Sequence, residues 1–137
     1  MFIPKKTKYK KQQKGKNFNR ITNVYNLNKF NLGSICLKSQ GSGRLNSKQI
    51  ESMRQSIQKI IKKAGRVIIN IFPSTPISKK PVEVRMGKGK GNVSHWIFKV
   101  KSGIVLCQIE TSNPVIGLKA MQAAQFRLPI KTKILLN

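Results

Sequence analysis

Only three carboxylates, Glu51, Glu83 and Glu110, stand against twenty-eight lysines and arginines in 137 residues, a formal charge of +25. A compact state of such a chain repels itself, so every cation must face outward and a dense polyanion must neutralise the surface. An ordinary domain is about 25% charged with the signs roughly balanced. Here the charged fraction is an ordinary 23%, so the chain is not unusually polar. It has been stripped of the groups that would repel phosphate, which points to a nucleic-acid partner. The apolar fraction of 39% is enough for one real core.

Two regions follow from the pattern. Residues 1–32 form a basic N-terminal extension in which Lys5, Lys6, Lys8, Lys10, Lys11, Lys14 and Lys16 crowd together, with Phe2, Tyr9, Phe18, Tyr25 and Phe30 interleaved. No period of 2 or 3.6 organises it, so it is expected to be extended and mobile until it meets RNA. Residues 33–137 have the pattern of a globular α+β domain. Ser34 to Ser39 reads as a strand and Gly41 to Arg44 as a loop. Asn46 with Gln49 three residues later forms a capping-box signature. After it, Ile50, Met53, Ile57, Ile60, Ile61 and Ala64 make one helical stripe, and Gly65 stands where a left-handed C-terminal residue is expected. The other faces of this helix carry Lys48, Arg54, Lys59, Lys62 and Lys63.

Beyond the helix, Arg66 to Phe72 reads as a strand, Ser74 to Pro81 as a loop and Val82 to Arg85 as another strand. Ser94–Lys101 and Ile104–Glu110 flank Ser102-Gly103 like the arms of a hairpin. Asn113-Pro114 opens a second helix to about Phe126, with Ile116, Ala120, Ala123 and Ala124 or Phe126 inward. Ile130 to Leu136 closes the chain as a strand. The expected fold is a mostly antiparallel sheet or sandwich of five or six strands, with two helices on one side.

The run Arg85-Met86-Gly87-Lys88-Gly89-Lys90-Gly91 is the clearest candidate contact loop. Alternating glycines allow close approach to a phosphate backbone while the lysines act as point charges. It lacks the Lys-Ser/Thr ending of a nucleotide-binding loop and opens no helix, so it is no ATP or dinucleotide site. Cys36 and Cys107 read as small buried hydrophobes, since a zinc site needs about four closely paired ligands. The lone His95 has no acid or nucleophile pattern around it, and no catalytic constellation, metal site or cofactor is expected. No stretch reaches the roughly 18 apolar residues of a membrane helix, and no secretory signal opens the chain.

The opening Met1-Phe2-Ile3-Pro4-Lys5-Lys6-Thr7-Lys8-Tyr9-Lys10-Lys11, then Gly41-Ser42-Gly43-Arg44-Leu45 leading to Gln49-Ile50-Glu51, the Arg85 to Gly91 run, and the ending Leu128-Pro129-Ile130-Lys131-Thr132 resemble large-subunit ribosomal protein L-sixteen. The resemblance runs end to end except over residues 17–32, and Lys14 and Lys16 stand where the family often carries Arg. It implies an α+β fold with two helices, and a non-enzymatic protein that binds large-subunit rRNA beside neighbouring ribosomal proteins and helps shape the aminoacyl-tRNA site. On the charge pattern, Lys5, Lys6, Lys8, Lys10, Lys11, Lys14, Lys16, Arg44 and, on the basic helix face, Lys48 and Arg54 are expected to anchor such a protein on rRNA through phosphate contacts. The resemblance also implies a tRNA-proximal role for Arg85, Met86, Gly87, Lys88, Gly89, Lys90 and Gly91, with Arg85 matching a residue hydroxylated in some bacteria. The family motif begins almost at Met1 and the composition favours residues with A/T-rich codons. Both suggest an organelle-encoded protein of the mitochondrial ribosome, with a plastid or bacterial one as alternatives. The rival reading is a free nucleic-acid chaperone or nucleoid protein, which would share the charge but not the ordered motifs.

Overall fold

Asn46 starts the first helix as its spacing predicts: the Gln49 side chain reaches back 2.9 Å to accept from the Asn46 backbone N–H. The structure is a computed structural model that describes residues 2–13 and 34–136. Its elements are β1 (Ile35–Ser39), β2 (Gly43–Asn46), α1 (Ser47–Ile61), β3 (Gly65–Ile69), β4 (Thr75–Lys79), β5 (Asn92–Val100), β6 (Val105–Thr111), α2 (Pro114–Gln125) and β7 (Thr132–Leu136). They form two antiparallel sheets, one ordered β3-β6-β1-β7 and the other β2-β5-β4. The α+β class is as expected.

One apolar core joins the layers. From α1, Ile50, Met53, Ile57 and Ile61 are buried against Ile35, Leu37, Leu106 and Ile109 of the larger sheet and Leu45 and Val100 of the smaller. Each such side chain contributes on the order of 1.5–3 kcal/mol by leaving water. The second helix opens with the Asn113 side chain accepting from the N–H groups of Val115 (3.0 Å) and Ile116 (3.4 Å). Its buried face is small: Gly117, Ala120 and Ala124 beside Met121. That lets α2 lie close to β1, where a Cβ on Gly117 would stand 2.5 Å from Ile35 Cδ1.

Several sequence expectations need correction. Ile60 lies on the exposed side of the first helix, and the helix stops at Ile61, so Ala64 is exposed rather than inward as well. Its left-handed residue is Lys62 (φ 52°), not Gly65. Gly65 begins β3 and is glycine for space, because a Cβ there would run into the Glu110 carbonyl oxygen. The inward face of α2 holds Met121 and Gly117, while Phe126 is 89% exposed.

Residues 75–79, expected as loop, form β4, an edge strand that tolerates Pro76 because its missing N–H costs no ladder bond there. Conversely Val82 to Arg85 is no strand: β4 pairs directly with β5, leaving residues 80–91 as the connection, with Val82 97% exposed. Gly43 and Arg44 belong to β2 rather than to a loop.

The largest correction concerns the expected hairpin. The two arms, β5 and β6, lie in different sheets. β1 pairs with β6 and its continuation β2 pairs with β5, so two long strands turn the same corner side by side. Ser39 holds that corner. Its Oγ donates to Lys101 O (2.7 Å) and accepts from Ile104 N–H (3.1 Å), while Gly103, at φ 90°, donates to Ser39 O (2.8 Å). The glycine turn was legible; that a third strand captures it was not.

Candidate nucleic-acid interface

The described part of the N-terminal segment has no regular secondary structure, yet it is docked on the fold. Phe2 packs edge-on against Phe72, ring centroids 6.4 Å apart, and borders the core. Lys5, Lys6, Lys8, Lys10 and Lys11 are exposed along it, with the Lys8 ammonium 5.6 Å from the centre of the Tyr9 ring. Lys14 and Lys16 lie outside the described residues.

The glycine–lysine loop is reached by this segment directly. Lys11 Nζ donates to the Lys90 carbonyl at 2.9 Å, and Lys90 Nζ donates to the Gln12 carbonyl. Two candidate sites almost eighty residues apart in sequence are therefore one surface. Residues 81–90 are exposed throughout, with Met86 at 99%. Gly87 (φ 99°), Lys88 (φ 52°) and Gly89 (φ 79°) form an unbroken left-handed stretch. For Lys88 that conformation costs about 1–2 kcal/mol. Lys80, which sequence reasoning passed over, donates its Nζ to the Gly87 carbonyl and braces this bend. Gly91 serves differently, since a Cβ there would stand 2.7–2.9 Å from the backbone of Lys79 and Lys80.

Arg44 joins the same surface from β2. It stands directly opposite Lys99 of β5, placing two cations across one ladder. A cleft of about 250 Å³ is lined by Arg44, Lys90, Gln12 and the β4 residues Pro76, Ile77 and Ser78. Lys48 is exposed in the first turn of α1.

Arg54 is not brought into this group. Its guanidinium donates to Glu51 Oε1 at 2.6 Å and also to Gln58 Oε1. The bond from Arg54 holds the Glu51 carboxyl below its ordinary value. Arg54 instead lines a cleft of about 360 Å³ with Lys62 and Arg66, where α1 ends beside β3. Arg66 and Lys99 were hidden from sequence reasoning because both sit inside strand patterns.

The remaining reactive groups have structural settings. Cys36 and Cys107 are buried free thiols, and Cys107 Sγ lies 3.9 Å from Met121 Sδ. Burial pushes the Cys107 thiol up to about 12 and raises that of Cys36. His95 is exposed on β5, with Nδ1 3.3 Å from Ser94 Oγ. Among the described residues no three His, Cys, Asp or Glu side chains cluster to hold a metal, and no helix is long and apolar enough to cross a membrane.

Comparison with known proteins adds to this geometry. The profile of the ribosomal protein L16p/L10e family matches residues 4–135. The large ribosomal subunit protein uL16 of Acinetobacter baylyi is 41% identical over 134 residues, covering 98% of this chain and 96% of its own length. The uL16 of Thioalkalivibrio sulfidiphilus is 42% identical over 97% of this chain and 95% of its own. That of Wigglesworthia glossinidia brevipalpis is 43% identical over 96% and 94%.

Proposed function

The chain belongs to the ribosomal protein L16p/L10e family, and we propose that its joined basic surface anchors ribosomal RNA while its glycine–lysine loop faces tRNA at the aminoacyl site. As a member of that family it is a structural constituent of the large ribosomal subunit, not an enzyme, and it works at the ribosome with rRNA and other ribosomal proteins.

The observation that carries the finer reading is the reciprocal bonding of Lys11 and Lys90. It supports one continuous cationic surface built from Lys5, Lys6, Lys8, Lys10 and Lys11, from Arg44, and from the loop. Lys14, Lys16 and Lys48 extend it in our reading, and Arg54 serves a separate contact. The mechanism is electrostatic: cations with almost no carboxylates among them displace counterions and let phosphate backbones approach. Arg85, Lys88 and Lys90, on a loop exposed from end to end, are the residues we assign to the tRNA side. Residues 1–32 act as the RNA-binding extension and 33–137 as the domain that carries it. The Lys-, Asn- and Ile-rich composition supports a mitochondrial ribosome, and the relatives above fit a bacterial one equally well.

Sedimentation tests the anchoring. Tagged protein should stay with large subunits through a salt wash that strips loosely held chaperones; recovery only in the wash would contradict it. For the loop, Lys88→Ala with Lys90→Ala should slow tRNA accommodation more than it impairs subunit assembly. Normal elongation in that double variant would refute the assignment.

A further inference from the structure

One cleft joins an aromatic wall to an aliphatic one beside a single lysine. It measures about 410 Å³ and lies between the N-terminal segment, the first turn of α1 and the outer half of β5. Ile3, Lys48, Val93, Ser94, His95 and Trp96 line it. Its volume falls in the range of roughly 300–1,000 Å³ usual for small-molecule clefts.

The local backbone explains the wall. Ile77 pairs with His95 but its neighbour Ser78 pairs with Val93, so Ser94 is an extra residue in β5. Such a bulge breaks the in-out alternation and re-aims side chains. As a result Ser94 and His95 are both exposed beside half-buried Trp96. Across the opening, Ile3 remains 46% exposed. The lining holds a cation, Lys48, and no acid.

We propose that this cleft takes one unpaired nucleotide of RNA. The base packs against the Trp96–His95 wall, the Ser94 hydroxyl meets its polar edge, and Lys48 meets its phosphate. A base within a duplex presents no free face, so the site selects single-stranded segments. The proposal rests on the RNA-binding reading above and adds base contact to a surface otherwise made of phosphate contacts.

Trp96 is the only tryptophan in the chain, so its emission reports on this cleft alone. The full-length protein is titrated with a single-stranded decanucleotide and with an RNA duplex of equal phosphate number. Binding is followed by anisotropy of an end label, and Trp96 emission with unlabelled RNA. Both RNAs should bind, but only the single strand should quench Trp96. His95→Ala, at an exposed position, should weaken single-strand binding by roughly five- to tenfold and leave duplex binding unchanged. Bound single strand with unquenched Trp96, or equal weakening of both RNAs, overturns the cleft proposal while RNA binding stands. An acidic peptide that quenches Trp96 as strongly as RNA also overturns it. Failure of both RNAs to bind overturns the RNA reading itself.

Discussion

Replacing single glycines around the loop separates two reasons for their presence. At Gly91 the structure sets a close approach: an added Cβ would stand 2.7 Å from Lys79 O and 2.9 Å from Lys80 N, both backbone atoms where β4 leaves its ladder. Overpacking against atoms that cannot swing aside costs about 1–3 kcal/mol. Against this, Ala lowers unfolded-chain entropy and returns about 0.4–1 kcal/mol. Gly91→Ala should therefore destabilise by roughly 1–2 kcal/mol, lowering the melting temperature by about 3–10 °C for a chain of this size. Gly89 has open space but φ 79°. A side chain at that φ is strained by about 1–2 kcal/mol, part of which the exposed loop sheds by resettling, so Gly89→Ala should cost up to about 1 kcal/mol while displacing Lys88 and Lys90 and weakening RNA binding. Gly41 has neither constraint, and Gly41→Ala should be neutral or stabilise by up to about 1 kcal/mol. Thermal melts of the three variants and one filter-binding series suffice. If Gly91→Ala melts at or above the parent while Gly89→Ala melts far below it, the assignment of roles to these glycines is wrong.

Glu51→Gln should cost little stability, about 1 kcal/mol or less for a half-buried surface pair, yet tighten RNA binding because Arg54 is released and an acid removed; unchanged affinity would argue that Arg54 meets no phosphate. Neither cysteine should react with a thiol reagent at pH 8 in the folded protein, since both thiols are buried and raised. Because the folded Cys107 thiol holds its proton longer than the unfolded one, stability should be unaffected by it below about pH 9 and fall as pH rises toward 12. Fast labelling at pH 8 without unfolding would refute this setting. Asn113→Ala removes two acceptor contacts at the start of α2 and should cost about 1 kcal/mol in a denaturant melt; no loss would show the cap to be idle.

Local chemistry was readable from the chain where it was self-contained. Asn46 with Gln49 and Asn113-Pro114 marked both helix starts because capping is decided within four residues. The stripe from Ile50 to Ile61 marked the buried face for the same reason. Long-range pairing was not readable. Ser102-Gly103 has the composition of a hairpin turn, but β1 and β2 take the partners that the two arms would have given each other. Val82 to Arg85 alternates like a strand, yet β4 rather than this segment pairs with β5, and residues 80–91 serve as the connection between them. For the candidate site, each basic cluster was visible separately, because charge is a property of composition. That Lys11 and Lys90 meet, and that Arg54 is held by Glu51, depends on how the chain returns to itself.

Cations gathered on one surface, with almost no carboxylates among them, neutralise RNA phosphate. The dissociation constant for an rRNA fragment, measured across a salt series, tests this most directly. With about eight phosphates engaged at roughly 0.7 per contact, log affinity should fall with a slope near −6 against log salt, and Arg44→Ala with Lys10→Ala, both assigned to rRNA anchoring, should make that slope shallower by about 1.4. A slope near zero, or one unchanged in the double variant, would contradict it.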